Sequence, residues 1–209
     1  MYRSHLVLIA FAAIGFAAAP ARADIAVSIS GNGDYGNVAG SWGWEFSTTS
    51  DLTVTALGVY DVGGDGLPEN TTVGIWRESD QALVGSTVVP TNGTLIGGFR
   101  YNDVSPFALS SSEVYRIAYW NPNGFFTIGL LGQDVVFAPE VTYLDAGIYN
   151  FDAGSFSYPD QVTTNNLPKY FGPNFQFTTS AVPEPTSVAL LGLGLVLPAY
   201  AIRRRKSAA

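Results

Sequence analysis

Carboxylates and tryptophans are the residues whose types and spacing could do chemistry in this chain. Asp61-Val-Gly-Gly-Asp65-Gly-Leu-Pro-Glu69-Asn70 gathers three acids and an amide into one short stretch. Asp61, Asp65, Glu69 and Asn70 offer hard oxygen ligands, and the glycines let the backbone curl around an ion. Calcium takes about six to eight such oxygens at about 2.3–2.6 Å, which makes the stretch a candidate calcium site. It departs from the EF-hand pattern, because Gly63 stands where a liganding side chain belongs and no Glu falls at the twelfth position. A Gly-rich Asx turn between two strands explains the same residues without metal. Trp42, Trp44, Trp76 and Trp120 form a second constellation. Their faces could stack on sugar rings, although core packing is the default for so large a side chain. Asp103, Glu113, Glu140 and Asp145 could furnish the acid pair of a glycosidase. There, carboxyl separations of about 5–5.5 or 6.5–9.5 Å distinguish the two mechanisms. No spacing singles out a pair, and no enzyme activity is expected.

Other chemistries are excluded by composition. The chain has no Cys, and its one His is His5, close to the N-terminus. Ser-His-Asp and Cys-His catalysis therefore have no base, and Cys/His zinc sites have no ligands. Disulfides play no part in holding the fold. Between residues 24 and 182 stand four basic residues, Arg77, Arg100, Arg116 and Lys169, against sixteen acidic ones, a balance of −12. Such a field repels nucleic acid and anionic membrane surfaces and is compatible with bound cations.

The elements that must position these residues read as strands. Helix signals are nearly missing between Asp24 and Thr179, where Gly, Pro, Asn, Asp and Ser punctuate short runs of Val, Ile, Thr, Tyr, Phe and Trp. Strands are predicted near 25–30, 43–47, 52–60, 72–77, 83–89, 94–101, 114–120, 125–128, 135–137 and 174–179. Leu52, Val54 and Ala56 alternate with Thr53 and Thr55, and Val73, Ile75 and Arg77 with Thr72, Gly74 and Trp76. Period-2 patterning with turn signals every ten or so residues favours an all-β, antiparallel β-sandwich. From 138 to 173 the pattern loosens, and a long excursion at one end of the sandwich is expected.

Both ends read as addresses. Met1 to Ala23 has Arg3 and His5, an apolar run from Leu6 to Ala19, and Ala21-Arg22-Ala23 as an A-x-A cleavage site. That is a secretory signal helix. Residues 24–181 form the expected domain. Residues 182–209 begin with Val182-Pro183-Glu184-Pro185, which cannot continue a helix or pair in a sheet. An uncharged apolar span follows, expected to cross the membrane over about 186–202, and then Arg203, Arg204, Arg205 and Lys206. A sixteen-residue helix of this kind is about 24 Å long, slightly short for a hydrocarbon core of about 30 Å. Positive charge stays cytoplasmic, which places the domain outside.

The order of these last pieces resembles the PEP-CTERM protein-sorting signal: Val182-Pro183-Glu184-Pro185, a small-residue-rich span with Gly192 and Gly194, then the Arg203–Lys206 cluster. The resemblance implies Gram-negative bacteria that make exopolysaccharide. It also implies recognition by an exosortase, and passage from the inner membrane to the cell surface or matrix, often with removal of the tail. Over residues 52–125, "VGIWRESDQALVGSTVV" and the later "YRIAYW" resemble uncharacterised jelly-roll-type β-sandwich domains of bacterial secreted proteins. That likeness implies a jelly-roll-like fold related to carbohydrate-binding modules. The functional expectation is a non-enzymatic surface or matrix protein associated with exopolysaccharide in biofilm, with a calcium-dependent carbohydrate-binding module as the alternative.

Overall fold

Leu52–Tyr60 shows how the alternation becomes architecture. Leu52 and Val54 point inward while Thr53 is half-buried, and then Thr55 is left without an opposite residue on either neighbouring strand. This bulge moves the inward set to Leu57 and Val59, so the strand changes parity without leaving the core. The computed structural model describes residues 23–30, 34–36, 39–123, 126–128, 134–151, 154–163 and 170–179. The expected signal helix and the membrane helix over 186–202 lie outside these residues. The described residues contain strands and no helix.

In chain order the strands are β1 Asp24–Ile25, β2 Val27–Ser30, β3 Asp34–Gly36, β4 Gly40–Thr48 and β5 Leu52–Tyr60. There follow β6 Thr71–Arg77, β7 Leu83–Val89, β8 Thr94–Ile96, β9 Phe99–Leu109 and β10 Val114–Asn121. The last are β11 Phe126–Ile128, β12 Asp134–Phe137, β13 Val141–Asn150, β14 Gln161–Thr163 and β15 Pro173–Thr179. One sheet has the order β1-β15-β5-β9-β8 and the other β14-β13-β4-β10-β6-β7, every pair antiparallel. Two further ribbons, β11-β3 and β12-β2, have two strands each.

The two large sheets share one hydrophobic core. Trp44, Ile75 and Tyr119 from one meet Leu57, Phe99 and Phe175 from the other. Trp44 is fully buried, and its Nε1 donates across the layers to the carbonyl of Pro173 at 2.9 Å. A ring of this size removes about 150–250 Å² from water. At about 25 cal/mol per Å² that contributes about 4–6 kcal/mol before entropy is counted. Asn174, also fully buried, accepts from Val27 N at 3.1 Å and donates to Val27 O at 2.7 Å, which pins β2 to β15.

Two sequence expectations change. The run expected as one strand over 94–101 is a hairpin, because Gly97 and Gly98 take φ of +59° and +84°, a turn conformation glycine adopts at no steric cost. The stretch from 138 to 173, expected as a loose excursion, contains β13, ten residues long and inside the six-stranded sheet between β14 and β4. A register shift between Tyr143 and Gly147 breaks its alternation, which is why the sequence hid it. Residues 154–160 then cross the outer face of that sheet. Phe156 and Tyr158 pack on Trp76, Ala118 and Ile148, and Arg116 Nη1 donates to Pro159 O at 2.8 Å.

Candidate functional site

The Asp61–Asn70 turn is organised by an arginine. The Asp61 side chain is fully buried, and Arg100 Nε donates to its Oδ2 at 2.7 Å. The rest of the guanidinium donates to Gly93 O at 3.1 Å and Gly64 O at 2.9 Å, and Gly66 N donates to Asp61 Oδ2 at 3.0 Å. Gly63, Gly64 and Gly66 all have positive φ, so the backbone does curl as its glycines suggest. It curls around a planar, permanently charged side chain that is itself the cation. The other members of the predicted set point elsewhere. Asp65 is exposed, Asn70 Oδ1 accepts from Thr91 N at 3.1 Å, and Glu69 Oε2 accepts from Asn123 Nδ2. Asp61, Asp65, Glu69 and Asn70 therefore do not form the cage expected of them. Among the described residues no three Asp, Glu, His or Cys side chains are grouped to hold a metal ion.

Three of the four tryptophans lie in the interior. Trp42, Trp44 and Trp76 are 3%, 0% and 4% exposed, so none offers a face to a sugar. Trp42 and Trp44 belong to the core between the sheets, and Trp76 lies under Phe156, ring centroids 4.8 Å apart. Trp120 alone is half-buried, on the outer face of β10. An aromatic the sequence reading passed over is more accessible: Phe151, 42% exposed, stands edge-on to Trp42 at 4.7 Å and against Tyr149 at 4.5 Å. Its position just after β13 was hidden with that strand.

Three tight turns, β4–β5, β6–β7 and β9–β10, come together at one end of the sheets and enclose a cleft of about 280 Å³. Asp51, Arg77, Ser110, Glu113 and Tyr115 line it over an apolar floor of Val84 and Leu109. Asp51 Oδ1 accepts from Ser111 N at 2.8 Å and Ser111 Oγ at 3.0 Å. The amide and then the hydroxyl of Ser111 hold its carboxyl below the usual range. Glu113 Oε2 accepts from Ser79 Oγ at 3.0 Å, and Tyr115 Oη accepts from Ser110 N at 2.8 Å. Burial, more than any neighbour, pushes the Tyr115 phenol up. The cleft thus presents acceptors, a phenol and a guanidinium above apolar carbons, an arrangement suited to a hydroxylated ligand.

The acids weighed for hydrolysis do not gather. Asp103 is exposed on β9, Glu113 lies in this cleft, and Glu140 lines a second, shallower one of about 490 Å³ with Asp24 and Pro139. The Asp145 side chain lies outside the described residues. Asp51 joins Glu113 in lining the first cleft.

With this geometry in view, the tail supplies the address. Residues 181–206 match the PEP-CTERM protein-sorting motif. The match spans Val182, Pro183, Glu184 and Pro185 as well as Arg203, Arg204, Arg205 and Lys206, all outside the described residues. A PEP-CTERM tail implies an exported protein, membrane-anchored before processing by an exosortase-type enzyme. No curated protein and no solved structure is similar enough to this chain to match it.

Proposed function

We propose that this chain is a non-enzymatic cell-surface or extracellular-matrix protein whose β-domain, a jelly-roll-like sandwich, associates with exopolysaccharide. The PEP-CTERM match carries the reading. Export through a signal cleaved after Ala23 releases the domain outside the cytoplasm, and exosortase-type handling at Pro183-Glu184-Pro185 delivers it to the surface. An acidic domain without His or Cys in residues 24–182 suits a structural or adhesive role there. Replacing Pro183 and Pro185 with Ala and fractionating the cells tests the address. The expected outcome is unprocessed chain retained in the membrane fraction; normal surface delivery would overturn it.

A second reading, a carbohydrate-binding module, has one specific observation in its favour: the cleft of Asp51, Arg77, Glu113 and Tyr115. Its calcium-dependent form loses its original support, since Arg100 occupies the heart of the Asp61 turn. Co-sedimentation with the host's exopolysaccharide tests it. Binding weakened at least tenfold by Tyr115→Ala together with Arg77→Ala supports the module, and binding that ignores both changes removes the cleft from it.

A further inference from the structure

We infer that the C-terminal tail governs access to the cleft of Asp51, Arg77, Glu113 and Tyr115: the cleft faces the bilayer while the domain is anchored, and removal of the tail opens it to polymers. Such control rests on reading the cleft as the ligand site. Strand register supplies the geometry. Thr179, the last residue of β15, stands opposite Leu52, the first of β5, and Leu52 stands opposite Leu109, the last of β9. Asp51, just before Leu52, and Ser110, just after Leu109, both line the cleft. Neighbouring strands lie about 4.8 Å apart, so the chain leaves the domain about 10 Å from the cleft. It also enters there, since Asp24 stands opposite Phe177. Asp24 lines the shallower cleft with Glu140, whose carbonyl accepts from Thr49 N at 2.9 Å. Both clefts thus belong to the tethered end.

The opposite end has a different character. β5 carries the chain from Leu52 to Tyr60, about 25 Å at about 3.3 Å per residue. There lie the arginine-filled turn with exposed Asp65, and the exposed ring of Phe151. A PEP-CTERM tail implies membrane anchoring before processing. Only residues 180–185 separate Thr179 from the membrane span expected from about 186. However arranged, so short a piece reaches no further than about 20–25 Å. The tethered end is therefore held close to the lipid. The bilayer bars the domain from turning through it, so the Asp65 end is carried outward. A polymer must reach the cleft through the gap between domain and lipid, whereas a small solute enters freely.

The test uses the full chain reconstituted in phosphatidylcholine vesicles, where the absence of native Cys makes any introduced thiol unique. Ser112→Cys marks the tethered end and Asp65→Cys the far end, and both replace exposed turn residues. Each variant is reacted with a small maleimide, which calibrates the thiol, and with a maleimide carrying a long polyethylene glycol chain. The ratio of large-reagent rate to small-reagent rate is expected to be at least fivefold lower for Ser112→Cys than for Asp65→Cys. Inserting about twenty Gly and Ser residues between Ser180 and Ala181 lengthens the tether by about 25 Å and should bring the two ratios together. Equal ratios without the insertion overturn the inference. So does a low ratio for Ser112→Cys that the insertion leaves unchanged, because the obstruction would then be local to the β9–β10 turn. Polyethylene glycol stands in for no particular sugar, so the carbohydrate reading stands or falls separately, on co-sedimentation.

Discussion

Arg100 Nε, on β9, lies 2.7 Å from Oδ2 of Asp61, the residue directly after the neighbouring strand β5, and the Asp61 side chain is wholly out of solvent. The contact ties the end of β5 to β9 and, through Gly64 O and Gly93 O, fastens two loops at once. Removing one partner of a buried pair strands the other charge, at a cost of about 3–5 kcal/mol. Asp61→Ala and Arg100→Ala are each expected to lower stability by that amount in urea titrations. The double variant should cost clearly less than the two singles together. Additive losses would mean the pair is not coupled.

The tryptophans should separate into two classes. Trp44→Ala removes a fully buried ring and the bond to Pro173 O, and about 3–5 kcal/mol is expected to go with it. Trp120→Ala, on a half-buried outer face, should cost less than about 1.5 kcal/mol. Equal losses in denaturant unfolding would contradict the assignment of Trp44 to the core.

Alkali should weaken this fold. Burial is the largest cause raising the phenols of Tyr101, Tyr115, Tyr158 and Tyr170 above the ordinary value. A raised folded value means the folded chain keeps protons that the unfolded chain releases. Stability is therefore fully present below about pH 10 and falls as pH rises through the folded values. Urea midpoints measured between about pH 8 and about pH 11 should decline at the upper end, and Tyr101→Phe should flatten that decline. A midpoint independent of pH across this window would contradict it.

The segment over the outer sheet face rests on a missing side chain. A Cβ at Gly74 would come within 2.7 Å of Phe156 Cζ. Gly74→Val is expected to lift Phe156 from Trp76 and to expose 154–160 to protease, at a stability cost of about 1–3 kcal/mol. Limited proteolysis with mass spectrometry reads this directly. An unchanged cleavage pattern would show that Phe156 does not depend on Gly74.

Most of the strands were legible because Leu52–Tyr60, Thr71–Arg77, Leu83–Val89 and Val114–Asn121 carry dense β-branched or alternating patterns between turn signals. What escaped was hidden by backbone irregularity. β13 is broken by its register shift at Leu144-Asp-Ala, and β9 runs on through Pro106. That proline is tolerated because β8 pairs only with the first residues of β9, leaving its later part at an edge. At the candidate sites, local composition gave the right turn around Asp61 and the wrong occupant. Arg100, distant in the chain, is brought in by the β5–β9 pairing, which no local window displays.

Asp24 sits opposite Phe177 in the β1–β15 pair, and both strands are close to where the domain's described chain starts and stops. The polypeptide thus comes in and goes out side by side on one sheet edge. A pull on the chain beyond Thr179 therefore enters the domain through β15, which lies inside its sheet between β1 and β5.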